Sequence, residues 1–184
     1  MGTYLRAPTV FFKIIEQRDK LKPLIEQADV RYGIKTGCNE FFYLTKKAAK
    51  SFGLEKAFLK PLVRTKDFRR VMVRSEDVKN LVLAVSKEKP ELRNTNVFKY
   101  IHMGELKNIN NLSTCRSRKR WYDVGVKKPS SMFWSKLTCQ RHIVPFNDAG
   151  AFADCNVYEI TPKDESQGKA LCAILIVLQI NNPD

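Results

Sequence analysis

Residues 94–106 read NTNVFKYIHMGEL, and Val97, Tyr100, Ile101 and Leu106 fall where one face of a helix would put them. The Asn and Thr residues ahead of them are capping candidates. A second, shorter helix is expected over 7–17, APTVFFKIIEQ. Pro8 suits its first turn, and Val10, Phe11, Ile14 and Ile15 share its apolar face. Between these helices the pattern shortens. Two strands, about 24–32 and 39–45, are expected on either side of a glycine-bearing turn from Gly33 to Gly37. Residues 46–58 predict a short helix broken at Gly53. PLVRTKDFRRVMV and NLVLAVS read as a loop and two strands. Further strands are expected near 131–134, 141–146 and 151–160. Residues 168–180 are apolar enough to be buried, and periodicity leaves helix and strand both open there.

Helices and strands are mixed rather than alternating. No internal repeat, low-complexity linker or composition shift interrupts them. The expected fold class is therefore α+β, a single compact domain over 1–184. The chain opens directly on a helix and stops just after an apolar segment, so a fragment of a longer protein is expected. The apolar fraction of 43% and the aromatic fraction of 10% suit a folded protein. The longest apolar run, Leu171 to Ile180, is too short to span a bilayer. MGTYLRAPTVFF lacks the order of a secretory signal and the Ser or Thr of a myristoylation site.

Charge changes the picture more than composition does. Lys and Arg number 33 against 19 Asp and Glu, a net charge of +14, and the excess covers both halves of the chain. The folded body itself is basic, which points to a polyanionic partner. Nucleic acid leads. A membrane surface trails, because no segment is a long basic amphipathic helix. Five scattered cysteines and two histidines, with no Cys-x-x-Cys, carry no metal-ligand spacing and suit free thiols in a reducing cytoplasm.

No P-loop, Gly-x-Gly-x-x-Gly or Gly-x-Ser-x-Gly motif occurs. A metal-dependent nuclease would need paired carboxylates and a lysine. Asp67 with Asp77-Val78-Lys79, or Glu105-Leu106-Lys107, could supply them, but such pairs also arise on any charged, solvated face.

Three stretches stand out, a glycine turn and two basic runs. GIKTGCNE, Gly33 to Glu40, sets Lys35, Thr36 and Asn39 around two glycines. It suits close approach to a phosphate, or a plain hairpin turn. LKPLVRTKDFRR carries Arg64, Lys66, Arg69 and Arg70, with Arg74 beyond, either as phosphate contacts or as a solvated loop. STCRSRKRWYDV packs Arg116, Arg118, Lys119 and Arg120 against Trp121 and Tyr122. Arginine forks fit guanine edges and phosphates, and aromatic rings stack on bases. Trp121 could equally anchor the core, and a localisation signal would resemble the basic run.

Together, YLRAPTVFFKI, VRYGIKTGCNEFFYLT, FLKPLVRTKDF, CRSRKRWYDVG and VPFNDAGAFADCNVYEI, in this order and over residues 4–180, resemble the C-terminal target-recognition region of N6-adenine DNA methyltransferases from restriction–modification systems, the TaqI-like specificity domain that also occurs in type IIG enzymes. The resemblance implies a domain that grips double-stranded DNA and reads its major groove. It implies a partner in an N-terminal methyltransferase domain that binds S-adenosylmethionine and flips adenine into an Asn-Pro-Pro-Tyr-type site. This chain has no Asn-Pro-Pro-Tyr motif, so it is expected to be non-catalytic and to hold no cofactor itself. Under this reading Lys35, Arg64, Lys66, Arg69 and Arg70 contact phosphates. Arg116 to Arg120 face DNA, with Arg116, Arg118 and Arg120 as base readers and Lys119 beside them. Trp121 or Tyr122 shapes the loop, and Thr36 and Asn39 could serve either role. The segment Asn147 to Gly150 reads as a structural turn. A metal-dependent nuclease, or an RNA- or protein-binding module using the same surface, is the alternative.

Overall fold

A computed structural model of the chain describes residues 9–136 and 143–180. In chain order the helices are α1 (Thr9–Glu16), α2 (Leu24–Gln27), α3 (Asn39–Phe42), α4 (Lys46–Ser51), α5 (Lys89–Leu92), α6 (Asn96–Leu106), α7 (Ser113–Arg116) and α8 (Gly168–Ile180). The strands are β1 (Ala28–Tyr32), β2 (Tyr43–Thr45), β3 (Leu59–Val63), β4 (Met72–Val73), β5 (Asn80–Leu83), β6 (Met132–Ser135), β7 (Phe146–Asn147), β8 (Phe152–Ala153) and β9 (Val157–Pro162). They form two mixed sheets, ordered β1-β9-β6-β7-β4 and β2-β5-β3-β8. The α+β class is the one the pattern predicts.

The hairpin expected around Gly33 does not form. β1 and β2 belong to different sheets, so residues 33–38 are a crossover. Instead of turning back, the chain runs on beside β8 and β9. The Gly33 amide donates to the Val157 carbonyl at 2.9 Å and the Ile34 amide to the Ala153 carbonyl at 2.7 Å. A Cβ on Gly33 would lie 2.2 Å from the Asp154 carbonyl oxygen, so the glycine serves close backbone approach. The two flanking strands are also shorter than predicted. Residues 24–27 and 39–42 each make one helical turn before extending.

Elsewhere the apolar pattern translates directly. Thr95 caps α6, accepting from the Phe98 amide at 3.1 Å, and the Glu55 carboxylate accepts from the Asn96 and Val97 amides at 2.6 and 3.1 Å. Val97, Tyr100, Ile101 and Gly104 are buried. Leu106, assigned to the same face by spacing, is 72% exposed because nine residues at about 100° each put it on the side of the helix opposite Val97. The helix expected over 46–58 ends at Ser51, where Gly53 takes a positive φ, and residues 56–58 form a separate 3-10 turn. The strand expected over 151–160 is two, β8 and β9, separated at 154–156. Of the strand near 141–146, residues 141–142 lie outside the described residues, and β7 begins only at Phe146. Residues 168–180 are helical: Cys172 and Leu175, three apart, pack with Ala28, Met132 and Ile160 of the five-stranded sheet.

Val63 and Ala153 from one sheet and Val73, Phe133 and Val157 from the other share a buried cluster that joins the two sheets. A larger cluster gathers Phe41, Phe42, Leu83, Val97, Tyr100, Ile101 and Tyr122 between α6 and the four-stranded sheet. Burial there pushes the Tyr100 hydroxyl up to about 12, keeping it neutral while it donates to the Phe41 carbonyl at 2.9 Å. Asn147 closes the turn that follows it. Its amide donates to the Ser130 and Ala151 carbonyls at 2.7 and 2.9 Å, and its side-chain oxygen accepts from the Ala151 amide at 3.0 Å. Among the described residues no helix is long and apolar enough to cross a membrane.

Candidate nucleic-acid interface

The glycine stretch and the two basic runs, far apart in sequence, meet at residues 33–36. From one side comes Arg118. Its guanidinium donates to the Lys35 carbonyl at 2.6 Å, the Thr36 carbonyl at 2.8 Å and the Trp121 carbonyl at 3.1 Å, and it lies 5.7 Å from the centre of the Phe42 ring. Cys115, buried beneath it, makes a long contact with the Thr36 carbonyl at 3.6 Å. Burial holds the Cys115 thiol above its ordinary pKa, in the neutral form, despite the nearby Arg118 charge. From the other side comes the β3 stretch. Asp154, bridged to Ile34, receives the Arg64 Nε at 3.3 Å.

This arrangement sorts the predicted site residues. Arg118 points inward, which corrects the expectation that the whole run from Arg116 to Arg120 faces outward. A planar fork is the donor that three converging carbonyls require. Arg120 is likewise engaged, bound to Glu88 and to Asp123, each at 2.6 Å. Both guanidiniums thus have their terminal nitrogens engaged within the chain. Thr36 is 1% exposed, its hydroxyl donating to the Asn39 side-chain oxygen at 2.6 Å, so it shapes the crossover rather than presenting a polar group. Asn39 remains exposed at the start of α3.

Trp121 and Tyr122 belong to the core. The Trp121 ring lies 5.3 Å from that of Phe41, and its Nε1 donates to Glu105 at 3.0 Å. A Cβ on Gly104 would stand 2.6 Å from Trp121 Cη2, so the helix gives up a side chain to admit the indole. Tyr122 is 2% exposed and donates to the Lys87 carbonyl at 3.0 Å. The aromatic pair therefore pins one end of the loop while Arg118 pins its middle.

What remains outward is Lys35, Arg116 and Lys119 around the Arg118 fork, and Lys66, Arg69 and Arg70 after β3. All six are exposed and make no ion pair among the described residues. Arg64 is half-exposed and partly committed to Asp154. The basic stretches also hid acidic partners that sequence reading passed over. Asp154 sits inside VPFNDAGAFADCNVYEI, whose position in an ordered motif was its one signal. Glu88 had none.

The carboxylates considered for metal chemistry have other occupations. Asp67 and Asp77 accept from the Arg64 and Arg74 amides at 2.9 and 3.0 Å, closing their own turns. Glu105 holds Lys89 and Trp121. Among the described residues no group of three or more His, Cys, Asp or Glu side chains could hold a metal ion.

The chain resembles known proteins along most of its length. Residues 6–178 match the family model of Type II methyltransferase M.Eco57I, C-terminal domain. A relative, Type II methyltransferase M.AccI from Acinetobacter calcoaceticus, is 28% identical over 120 residues, which cover 62% of this chain and 22% of that protein. The fold is similar to part of the Type IIL restriction-modification enzyme MmeI, solved in complex with DNA, with a TM-score of 0.54 and 15% identity over 83% of this chain and 21% of that one. The chain thus spans about a fifth of the length of these relatives. With the family model matched across both sheets, the glycine stretch and the two basic runs, the chain belongs to the family of the C-terminal domain of type II methyltransferase M.Eco57I.

Proposed function

We propose that this chain binds double-stranded DNA as the target-recognition domain of a restriction–modification N6-adenine methyltransferase. The observation that carries the reading is the crossover at residues 33–36, to which Arg118 and Asp154 draw the two basic runs, leaving Lys35, Arg116 and Lys119 outward. Phosphate contacts set register on a duplex and a few side chains specify bases. Lys35, Lys66, Arg69 and Arg70, with the half-free Arg64, take the phosphate role. Arg116 is the base-reading candidate, with Lys119 and Asn39 beside it. Arg118, Arg120, Trp121, Tyr122 and Thr36 hold the loops in place.

S-adenosylmethionine and the transfer of methyl to adenine belong in this reading to a separate N-terminal domain, because these 184 residues contain no Asn-Pro-Pro-Tyr motif. That domain is the second partner, and the cytoplasm is the compartment. Titrating a labelled duplex over a range of salt tests the DNA reading. About six phosphate contacts give a slope of log K against log salt near −5. A salt-insensitive affinity, or no duplex binding at low salt, rejects it.

A further inference from the structure

A second cationic feature adjoins the two basic runs, taking Lys60 from one of them and Lys87, Lys127 and Lys128 from outside them. Between one end of the β3–β5 pair, at residues 57–61 and 84–87, and the segment 123–129 runs an open groove of about 620 Å³. Its polar lining is dominated by Lys60, Lys87, Lys127 and Lys128, and its one acidic side chain is Asp123. Phe152 lies on its apolar wall.

Three properties separate this groove from a chance gathering of surface lysines. Its one carboxylate is already paired, since Asp123 is bound by Arg120 at 2.6 Å and accepts from the Gly125 amide at 2.9 Å. None of the four lysines has an ion-pair partner among the described residues. The backbones that carry them are held. Lys60 stands on β3 opposite Val82, the Lys87 carbonyl accepts from Tyr122, and the Lys128 carbonyl accepts from Arg31. Arg31 is itself fixed by Glu159, which is 3% exposed. Val124 and Val126 pack inward on either side of Gly125, leaving Lys127 and Lys128 on the groove side.

We infer that this groove is a second track for a nucleic-acid phosphate backbone, resting on the DNA-binding reading above and extending it. Four unpaired ammonium groups along an open, partly apolar trough suit a linear polyanion. They suit a base edge poorly, because lysines supply point charge rather than a planar fork. Arg120 gains a role here: by binding both Asp123 and Glu88 it offsets part of the negative charge beside Lys87. The groove would hold backbone without reading sequence, and at Asp123 it adjoins the loop that carries Arg118.

Lysine acetylation footprinting of the full-length protein, with and without a saturating duplex and read by mass spectrometry, tests this. The expected result is severalfold slower modification of Lys60, Lys87, Lys127 and Lys128 with duplex, alike for target and scrambled sequence. The triple variant Lys87→Gln/Lys127→Gln/Lys128→Gln should lower the salt slope of binding by about 2 to 3. Groove lysines modified at the free rate while Lys35 and Lys119 are protected would overturn the groove and leave the DNA reading standing. No protection at either set would overturn both. Stronger protection of the groove by a structured RNA than by the duplex would also overturn it.

Discussion

Arg118 donates to the carbonyl oxygen of Thr36 at 2.8 Å across 82 residues of sequence. That bond, with its companions to Lys35 and Trp121, makes one rigid unit of two loops. Arg118→Ala removes the donor and leaves carbonyls unsatisfied at a partly buried site, at a cost of about 2 kcal/mol. Arg118→Lys should recover only a minor part, because an ammonium does not reproduce the fork. Chemical denaturation of the three forms checks both statements. Equal stability of Arg118→Ala and the unmodified chain would show that the contacts contribute nothing net.

Arg116 and Lys119 remain exposed beside this fork and should behave differently from it. If Arg116 reads a base, Arg116→Ala costs about 1–3 kcal/mol on target duplex and relaxes preference at one position. Lys119→Ala should weaken target and scrambled duplex alike and reduce the salt slope by about 1. Competition titrations with both duplexes separate the two behaviours. A uniform loss for Arg116→Ala would make it a phosphate contact.

Gly104 lies against the Trp121 indole, where an added Cβ would stand 2.6 Å from Cη2 and 2.7 Å from Phe41 Cε2. Gly104→Ala raises helix propensity in α6 but overfills this contact, and the steric cost should win by about 1–3 kcal/mol. The expected readout is a lower melting temperature accompanied by a changed tryptophan emission. A rise in melting temperature would mean that the indole moves aside at no cost.

Glu105 gives the stability a pH dependence. Burial works to raise its pKa, but hydrogen bonds from Lys89 and Trp121 outweigh it, and the carboxyl lies below its ordinary value of 4.5. A carboxylate with a lowered pKa in the folded state stabilises the fold above the unfolded-state value and loses that contribution as pH falls through the folded one. The stability gap between the unmodified chain and Glu105→Gln should therefore be widest above about pH 4.5 and shrink on further acidification. Denaturation curves at successive pH values measure that gap. A gap that is constant through the carboxylate range would contradict the lowered pKa.

Local signals were read correctly wherever the deciding interactions were local. The α6 helix follows from its own face and its own Thr95 cap, and both lie within a few residues. The basic character of the body needed only counting. The ordered motifs pointed to the family that the match over residues 6–178 then established.

Only the tertiary structure decided what each motif faces. Gly33 looked like a hairpin glycine because a turn and a close backbone approach make the same demand, the absence of a Cβ. Its partner, Asp154, lies 121 positions away, and no local pattern reveals it. Arg118 and Arg120 looked outward because charge normally prefers water; the Lys35 and Thr36 carbonyls and the Glu88 carboxylate, supplied by distant segments, joined the nearby Trp121 carbonyl and Asp123 carboxylate in engaging them within the chain. The tail at 168–180 stayed open between helix and strand until a sheet face was present to receive Cys172 and Leu175. Sequence determines period, cap and net charge because these act over a few bonds or over the whole chain. The direction of a single charged side chain depends on which carbonyls and carboxylates folding brings within hydrogen-bond reach.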